Sequence, residues 1–278
     1  AWQHRLRLCR PGSAEAAAAL AAMSATLEQA PDDVASHFEA SPTPLGRDEA
    51  WIAEHDAETS KWSNAAKWET PHYRIKTNTG YRMGTEVAAV MERVHAFYRE
   101  IWGIVPDPPP KIIPQTLRNL AVTPIELNIY ASNAEYLKRT SAPEWSGGVF
   151  TGSAVETYDH SEKAGKGSRA TLQTLFHEAS HQFMSVAVGD VPSFINEGIA
   201  SLFEGIEILS NGGIRRDLPV SDYLVPLAEQ LERGKAMSLR KVMNAPENKP
   251  ELYKFRWAFC YFLRMYVDEQ GRYVFRDR

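Results

Sequence analysis

Two histidines four residues apart, His177 and His181, flank Glu178 in a segment whose apolar residues recur at helical spacing. Positions four apart lie about one turn apart on the same face of an α-helix, so both imidazoles can reach one ion. Glu178 lies beside them, where it can act on a water bound to that ion. The pattern therefore predicts a helix that has Ser168 as its cap, ends near Gly189 and carries two ligands of a zinc ion.

A catalytic zinc usually has three protein ligands and a water, so a further ligand is expected downstream. Residues 192–200 predict the start of another helix, with Ser193 as its cap and Glu197 in its first turn. Glu197 is the predicted third ligand of one zinc ion per chain. Glu204 lies two turns further on the same face, where it can accept the free ring N–H of a zinc-bound histidine. The alternative for Glu204 is a solvated surface glutamate.

His-Glu-x-x-His at 177–181, followed by Asn-Glu-Gly-Ile-Ala at 196–200, resembles the gluzincin, or peptidase-MA-like, superfamily of zinc metallopeptidases. The layout is most similar to the bacterial peptidase-MA-like domains of unassigned substrate, and more distantly to the aminopeptidase N family. Residues 253–263 resemble the latter family's segment in which a tyrosine opens a buried helix. The resemblance covers residues 73–266 and implies that Tyr253 stabilises the oxyanion of the reaction.

Three departures from the aminopeptidases bear on the substrate. Glu197 follows His181 by 16 residues, a few fewer than in that family, and Arg256 stands where the family has a glycine. The family also has a Gly-x-Met-Glu-Asn strand, whose glutamate holds the amino terminus of the substrate. Residues 147–151 are Gly-Gly-Val-Phe-Thr and contain no glutamate, so the sequence favours cleavage within chains.

The predicted reaction is hydrolysis of a peptide bond by a zinc-activated water. Glu178 takes a proton from that water and then delivers it to the leaving amine. An extended peptide is expected to pair with the backbone of Gly148, Val149 and Phe150 at the edge of a sheet. Three alternatives stay open: an ordinary turn at that segment, an inactive peptidase fold that only binds, and a zinc hydrolase of another amide or ester.

The order of the predicted elements indicates an α+β fold of zincin-like type. It has a small mixed sheet with an edge strand beside the His-Glu-x-x-His helix, followed by a helical C-terminal half. Strands are predicted at 72–77, 125–130, 148–151 and 154–158, and helices at 13–30, 83–102 and 133–139. Residues 1–70 are predicted as a helical or irregular segment packing on a domain of 71–278, with its sheet at 71–165 and its metal and helical part at 166–278. Five prolines within 106–114 predict an extended connector.

Composition restricts the partners. The net charge of −4, with no dense basic stripe, argues against nucleic acid and leaves a peptide or protein as the expected substrate. No apolar run approaches the roughly 20 residues of a membrane span. Glu15 interrupts the alanine-rich stretch near the start and no clean cleavage site follows, so no signal peptide is predicted. The chain is interpreted as a fragment or processed form, and its compartment and oligomeric state stay open.

Two other side chains are assigned by their neighbours. Cys260 lies in an apolar stretch far from Cys9, which predicts a buried thiol rather than a disulfide. His160 lies in the polar run 159–163, which predicts a surface loop, with a role as a transition-state donor as the alternative.

Overall fold

The computed structural model describes residues 46–102, 124–161, 167–209, 211–245 and 249–275 of the 278-residue chain. These residues form a mixed α/β structure with eight α-helices, a five-stranded mixed sheet and a two-stranded sheet. The helices are α1 (Glu49–Thr59), α2 (Tyr81–Ile101), α3 (Asn133–Thr140), α4 (Arg169–Ala187), α5 (Ser193–Phe203), α6 (Ser221–Glu232), α7 (Leu239–Met243) and α8 (Tyr253–Met265), with 3₁₀ turns at Trp62–Asn64 and Pro250–Leu252. The strands are β1 (Ala66–Glu69), β2 (Tyr73–Thr77), β3 (Ile125–Tyr130), β4 (Gly148–Phe150), β5 (Ala154–Tyr158), β6 (Glu207–Ile208) and β7 (Ile214–Arg215).

The described residues group into two compact units. The unit here called the sheet unit takes its residues from Ser41–Val191 and Ile208–Arg215, and the helical unit takes its residues from Pro192–Glu207 and Arg216–Arg278. The predicted helix at 13–30 and the predicted connector at 106–114 lie outside the described residues. The division of the chain at residue 70 stays a prediction, because residues 1–45 lie outside them as well.

The five-stranded sheet has the order β1-β2-β3-β5-β4. Strands β2, β3 and β5 are parallel, whereas β1 pairs antiparallel with β2 and β4 pairs antiparallel with β5. Strand β4 is therefore an edge strand of a small mixed sheet, and the four predicted strands are confirmed. The first strand, β1, was not predicted. The segment was expected to be helical or irregular, but Trp68 of β1 packs so closely on α2 that a Cβ added at Gly84 would lie 2.2 Å from its ring.

Two long amphipathic helices of the sheet unit, α2 and α4, form where the apolar spacing predicts them. On α2, Val87, Met91, Val94 and Tyr98 are fully buried. Ser168 occupies the N-cap position of α4 as predicted, but its backbone is already helical and its hydroxyl makes no cap bond. The hydroxyl instead donates to Glu86 Oε1 of α2 at 3.2 Å.

In the helical unit, α5 packs against α8 at a close crossing. A Cβ added at Gly198 would lie 2.5 Å from Cys260 Sγ and 2.7 Å from the Arg256 carbonyl oxygen, so only glycine fits there. Cys260 is a free, buried thiol as predicted, and burial raises its pKa to about 12. The predicted Ser193 cap is wrong because Ser193 is the first helical residue, which also moves Glu197 from the first turn to the second. None of the described helices is both long and apolar enough to cross a membrane.

Candidate metal centre

The two histidines of the motif lie side by side on α4. The ring centroids of His177 and His181 are 5.0 Å apart and the ring planes are inclined by 76°. His177 and Glu178 are 7% and 8% exposed, and His181 is partly buried. The helix thus presents two imidazoles on one face and a mostly buried carboxylate between them in sequence, which suits a bound cation and an adjacent base.

A buried tyrosine fixes the helix turn that leads into the motif. Tyr98 of α2 is fully buried, and its hydroxyl donates to the carbonyl oxygen of Phe176 at 2.7 Å. Phe176 immediately precedes His177 and is itself fully buried. Because both groups lie out of reach of water, breaking this bond would leave a buried polar atom unsatisfied. Sequence analysis missed Tyr98, which lies 78 residues from its acceptor.

Edge strand β4 lies directly against the same turn of α4. A Cβ added at Gly148 would lie 2.7 Å from Thr174 Cγ2 and 3.0 Å from Glu178 Cγ. The Thr151 N–H donates to the Ala154 carbonyl oxygen at 2.9 Å and closes the β4–β5 hairpin. Hydrogen-bonded and non-hydrogen-bonded pairs alternate along an antiparallel ladder. The backbone groups of Gly148 and Phe150 are therefore directed toward the open edge.

Two buried polar side chains form hydrogen bonds to the residue that precedes this strand. The Gly147 carbonyl oxygen accepts a hydrogen bond from Thr157 Oγ1 at 2.7 Å and one from His160 Nε2 at 3.1 Å. A carbonyl can only accept, so Nε2 of His160 carries a proton. His160 is 4% exposed, with its ring stacked on Tyr158 at 3.9 Å, so its assignment to a surface loop is wrong. The polar residues around it in sequence gave no signal of this burial.

A second chain of bonds reaches Gly148 itself. The Tyr136 hydroxyl lies 2.8 Å from Ser146 Oγ, and Ser146 Oγ donates to the Gly148 carbonyl oxygen at 2.7 Å. Burial raises the pKa of Tyr136, and the charge of Glu178 adds to that rise. The phenol therefore stays protonated and serves as the donor to Ser146. Neither Tyr136 nor Ser146 carried a sequence signal.

The other predicted site residues belong to the helical unit. Glu197 lies in α5, and Tyr253 is the first residue of α8, as the resemblance implies. Glu204 follows α5 directly and accepts a hydrogen bond at 2.8 Å from the hydroxyl of Tyr223 on α6. Burial, and after it the charge of Glu204, raises the pKa of Tyr223 well above its usual value. Tyr223 is a further residue that sequence analysis missed.

Comparison of the sequence with protein-family models finds no match, and neither does comparison with curated proteins.

Proposed function

We propose that this protein is a zinc-dependent peptidase of gluzincin type with a zincin-like arrangement of sheet and helices. The observation that carries the proposal is the pair of adjacent imidazoles on α4, next to Glu178, whose side chain packs against Gly148 of edge strand β4. His177 and His181 are the first two proposed ligands of the zinc ion, and Glu197 of α5 is the third, as the sequence motif predicts. Two imidazoles and a carboxylate are a donor set that suits zinc and leaves a position open for chemistry.

Each remaining group has a role that its chemistry allows. Zinc, when bound, lowers the pKa of a water toward about 7 and polarises a carbonyl. Glu178 accepts the proton of the attacking water and delivers it to the leaving amine. Tyr253 donates a hydrogen bond to the developing oxyanion. Glu204 accepts the ring N–H of a ligand histidine and so keeps that ring in the required tautomer.

Strand β4 supplies the surface for the substrate backbone. The N–H and carbonyl groups of Gly148 and Phe150 are directed to the open edge, where an extended peptide can add as a further strand. Gly148 has no side chain, so the peptide can approach α4 closely at the turn that carries Glu178. Residues 147–151 contain no carboxylate to hold a terminal amine, which supports cleavage within chains.

The test combines metal content with hydrolysis. Plasma mass spectrometry of dialysed protein should find about one zinc per chain, and little in His181→Ala. Zinc-loaded protein should cleave a quenched-fluorescent peptide library. Glu178→Gln should keep the metal and lose on the order of 100-fold or more in rate.

Glu178→Gln protein that cleaves as fast as the parent would refute the proposal. Bound zinc without hydrolysis of any peptide would favour the binding module, and cleavage of simple esters or amides alone would favour the non-peptide hydrolase.

A further inference from the structure

A concave surface of the sheet unit lies beside strand β3, and strand β5 separates β3 from edge strand β4. A cavity of about 790 Å³ is lined by Trp62, Tyr130, Ala134, Glu135, Lys138 and Arg139, and we call it the Trp62 pocket. Its volume falls in the range of ligand sites. It contains none of the residues assigned above to the metal, the base or the substrate-pairing strand.

Positive charges gather around the aromatic rings of this pocket. The Lys76 ammonium lies 4.3 Å from the centroid of the Trp62 ring. The Arg139 guanidinium lies 5.3 Å from the same ring and 5.9 Å from that of Tyr130. The two rings pack on each other with centroids 4.2 Å apart. The rings therefore hold both cations by cation–π contacts on one surface.

These cations exceed the acidic groups available to them. Glu135 is shared, because it pairs with Arg139 at 3.0 Å and accepts from Asn78 Nδ2 at 2.9 Å. Neither Lys76 nor Lys138 forms a salt bridge within the part of the chain that the structure describes.

The pKa of Lys76 is lowered by burial first and then by repulsion from Lys67 and Arg139, while the charge of Glu126 opposes this shift. A bound anion would relieve the repulsion, because it would place a negative charge among these three cations.

A second acidic residue near these rings, Glu156, already accepts hydrogen bonds. Glu156 of β5 accepts from the Tyr130 hydroxyl at 2.6 Å and from Asn128 Nδ2 at 3.1 Å. Glu156 and Glu135 therefore limit how much negative charge the pocket can accept. This favours separate carboxylates over the dense charge of a phosphate backbone.

The Trp62 pocket and strand β4 pack against the same buried cluster. Buried Tyr130, Tyr136 and Tyr158 form one cluster, against which both Trp62 and Val149 of β4 pack. Strands β3 and β4 are separated only by β5, so a peptide added at the open edge of β4 lies three strand spacings, about 14 Å, from β3. About four to five extended residues span that distance. A peptide bound at β4 can therefore place a nearby segment over the Trp62 pocket.

We propose that the Trp62 pocket binds carboxylate side chains of an acidic segment of the peptide substrate, away from the bond that is cleaved. The lysines and Arg139 bind the carboxylates, while Trp62 packs against the methylene groups of glutamate side chains. Buried Tyr130 supports the Trp62 ring from below. That the acidic segment belongs to a substrate rests on the proposed function. The binding step itself requires neither the metal nor Glu178, so the two can be tested separately.

The test is fluorescence anisotropy with a labelled peptide containing four consecutive glutamates, and with its glutamine counterpart, added to the full chain in EDTA. The glutamate peptide should bind at least fivefold more tightly, and added salt should weaken it. Lys76→Gln combined with Lys138→Gln should weaken binding roughly tenfold. The matched control is Lys235→Gln with Lys241→Gln, two exposed lysines of the helical unit, and should leave binding unchanged. Thermal melting checks that both double variants are folded.

Equal binding of the two peptides, or an equal loss in the control variant, would overturn the proposal. Tighter binding of an oligothymidine of the same charge would overturn it too and assign the pocket to nucleic acid. Glutamate-peptide binding that needs Lys76 and Lys138, in a protein whose zinc-loaded form cleaves no peptide, would uphold the pocket and refute the proposed function. Peptide hydrolysis without any preference for acidic peptides would uphold the proposed function and refute the role of the pocket.

Discussion

Replacing Gly148 by alanine tests the contact on which the site geometry depends. The new methyl would lie 2.7 Å from Thr174 Cγ2, 3.0 Å from Glu178 Cγ and 3.3 Å from the Glu156 carbonyl oxygen. A carbon pair needs about 3.5 Å or more, so β4 and α4 must separate by roughly 0.5 to 1 Å. Overpacking of this kind costs about 1 to 3 kcal/mol, which lowers the urea midpoint by roughly 0.5 to 1 M. A shift of Glu178 on the order of 1 Å lowers the rate of hydrolysis by up to about 100-fold.

Two further variants separate the steric effect from other causes. Thr174→Ser removes the methyl that Gly148→Ala meets first, so the double variant should recover part of the lost stability, with a coupling of about 1 kcal/mol. Gly147→Ala is the matched control. Its methyl would lie 3.3 Å from His160 Cε1 and have no closer neighbour, so its effect on the urea midpoint should be smaller. A Gly148→Ala protein with the parent's urea midpoint and parent's rate would refute the close packing of β4 on α4.

Three other changes have outcomes that the structure sets. Gly198→Ala places a methyl 2.7 Å from an α8 backbone oxygen that has no rotamer to adjust, so it should cost about 1 to 3 kcal/mol in urea unfolding. Tyr223→Phe removes the donor to Glu204 and should weaken zinc roughly tenfold in a chelator competition while the fold persists; unchanged affinity would exclude Glu204 from supporting the metal. Burial, and after it His72, lowers the pKa of His95 to about 3. Below about pH 6.5 His95 is therefore protonated in the unfolded chain but not in the folded chain. The free energy of unfolding should fall by about 1.4 kcal/mol per pH unit from pH 6.5 toward pH 3. His95→Gln should flatten this slope.

The sequence predicted elements whose signal is local and long. Helices α2 and α4 repeat apolar residues over five or more turns, and strands β2 and β3 alternate in the same way over five or six residues. Strand β1 has four residues, and its existence depends on pairing with β2 and on Trp68 covering α2 at Gly84. Ser168 stands at the N-cap of α4, but its backbone is already helical and its hydroxyl makes no cap bond, whereas α5 begins at Ser193 itself.

The contacts of the candidate site also divide into local ones, which the sequence predicts, and long-range ones, which it does not. The spacing of His177 and His181 is a property of one helix, so their proximity follows from a five-residue motif. The contacts of Tyr98 and His160 join groups 78 and 13 residues apart, and they depend on tertiary packing that no local pattern encodes. His160 illustrates the difference, because its polar neighbours in sequence indicate exposure, whereas the strand hairpin and α4 enclose its ring. The backbone N–H of His160 even bonds Thr171 Oγ1 of α4, at 2.9 Å.

Under the proposed function, the surroundings of β4 also bear on which peptide bonds would be cleaved. Removal of N-terminal residues needs a carboxylate that binds the free amine beside the scissile bond. Glu156 is the residue paired with Val149 on the adjacent strand, but its oxygens already accept from Tyr130 and Asn128 on the face that carries the Trp62 pocket. At Gly148 the packing of α4 leaves no room for a longer side chain that could take over this role. The edge strand can therefore bind a continuous peptide backbone without holding its terminus, which is the arrangement that an endopeptidase needs.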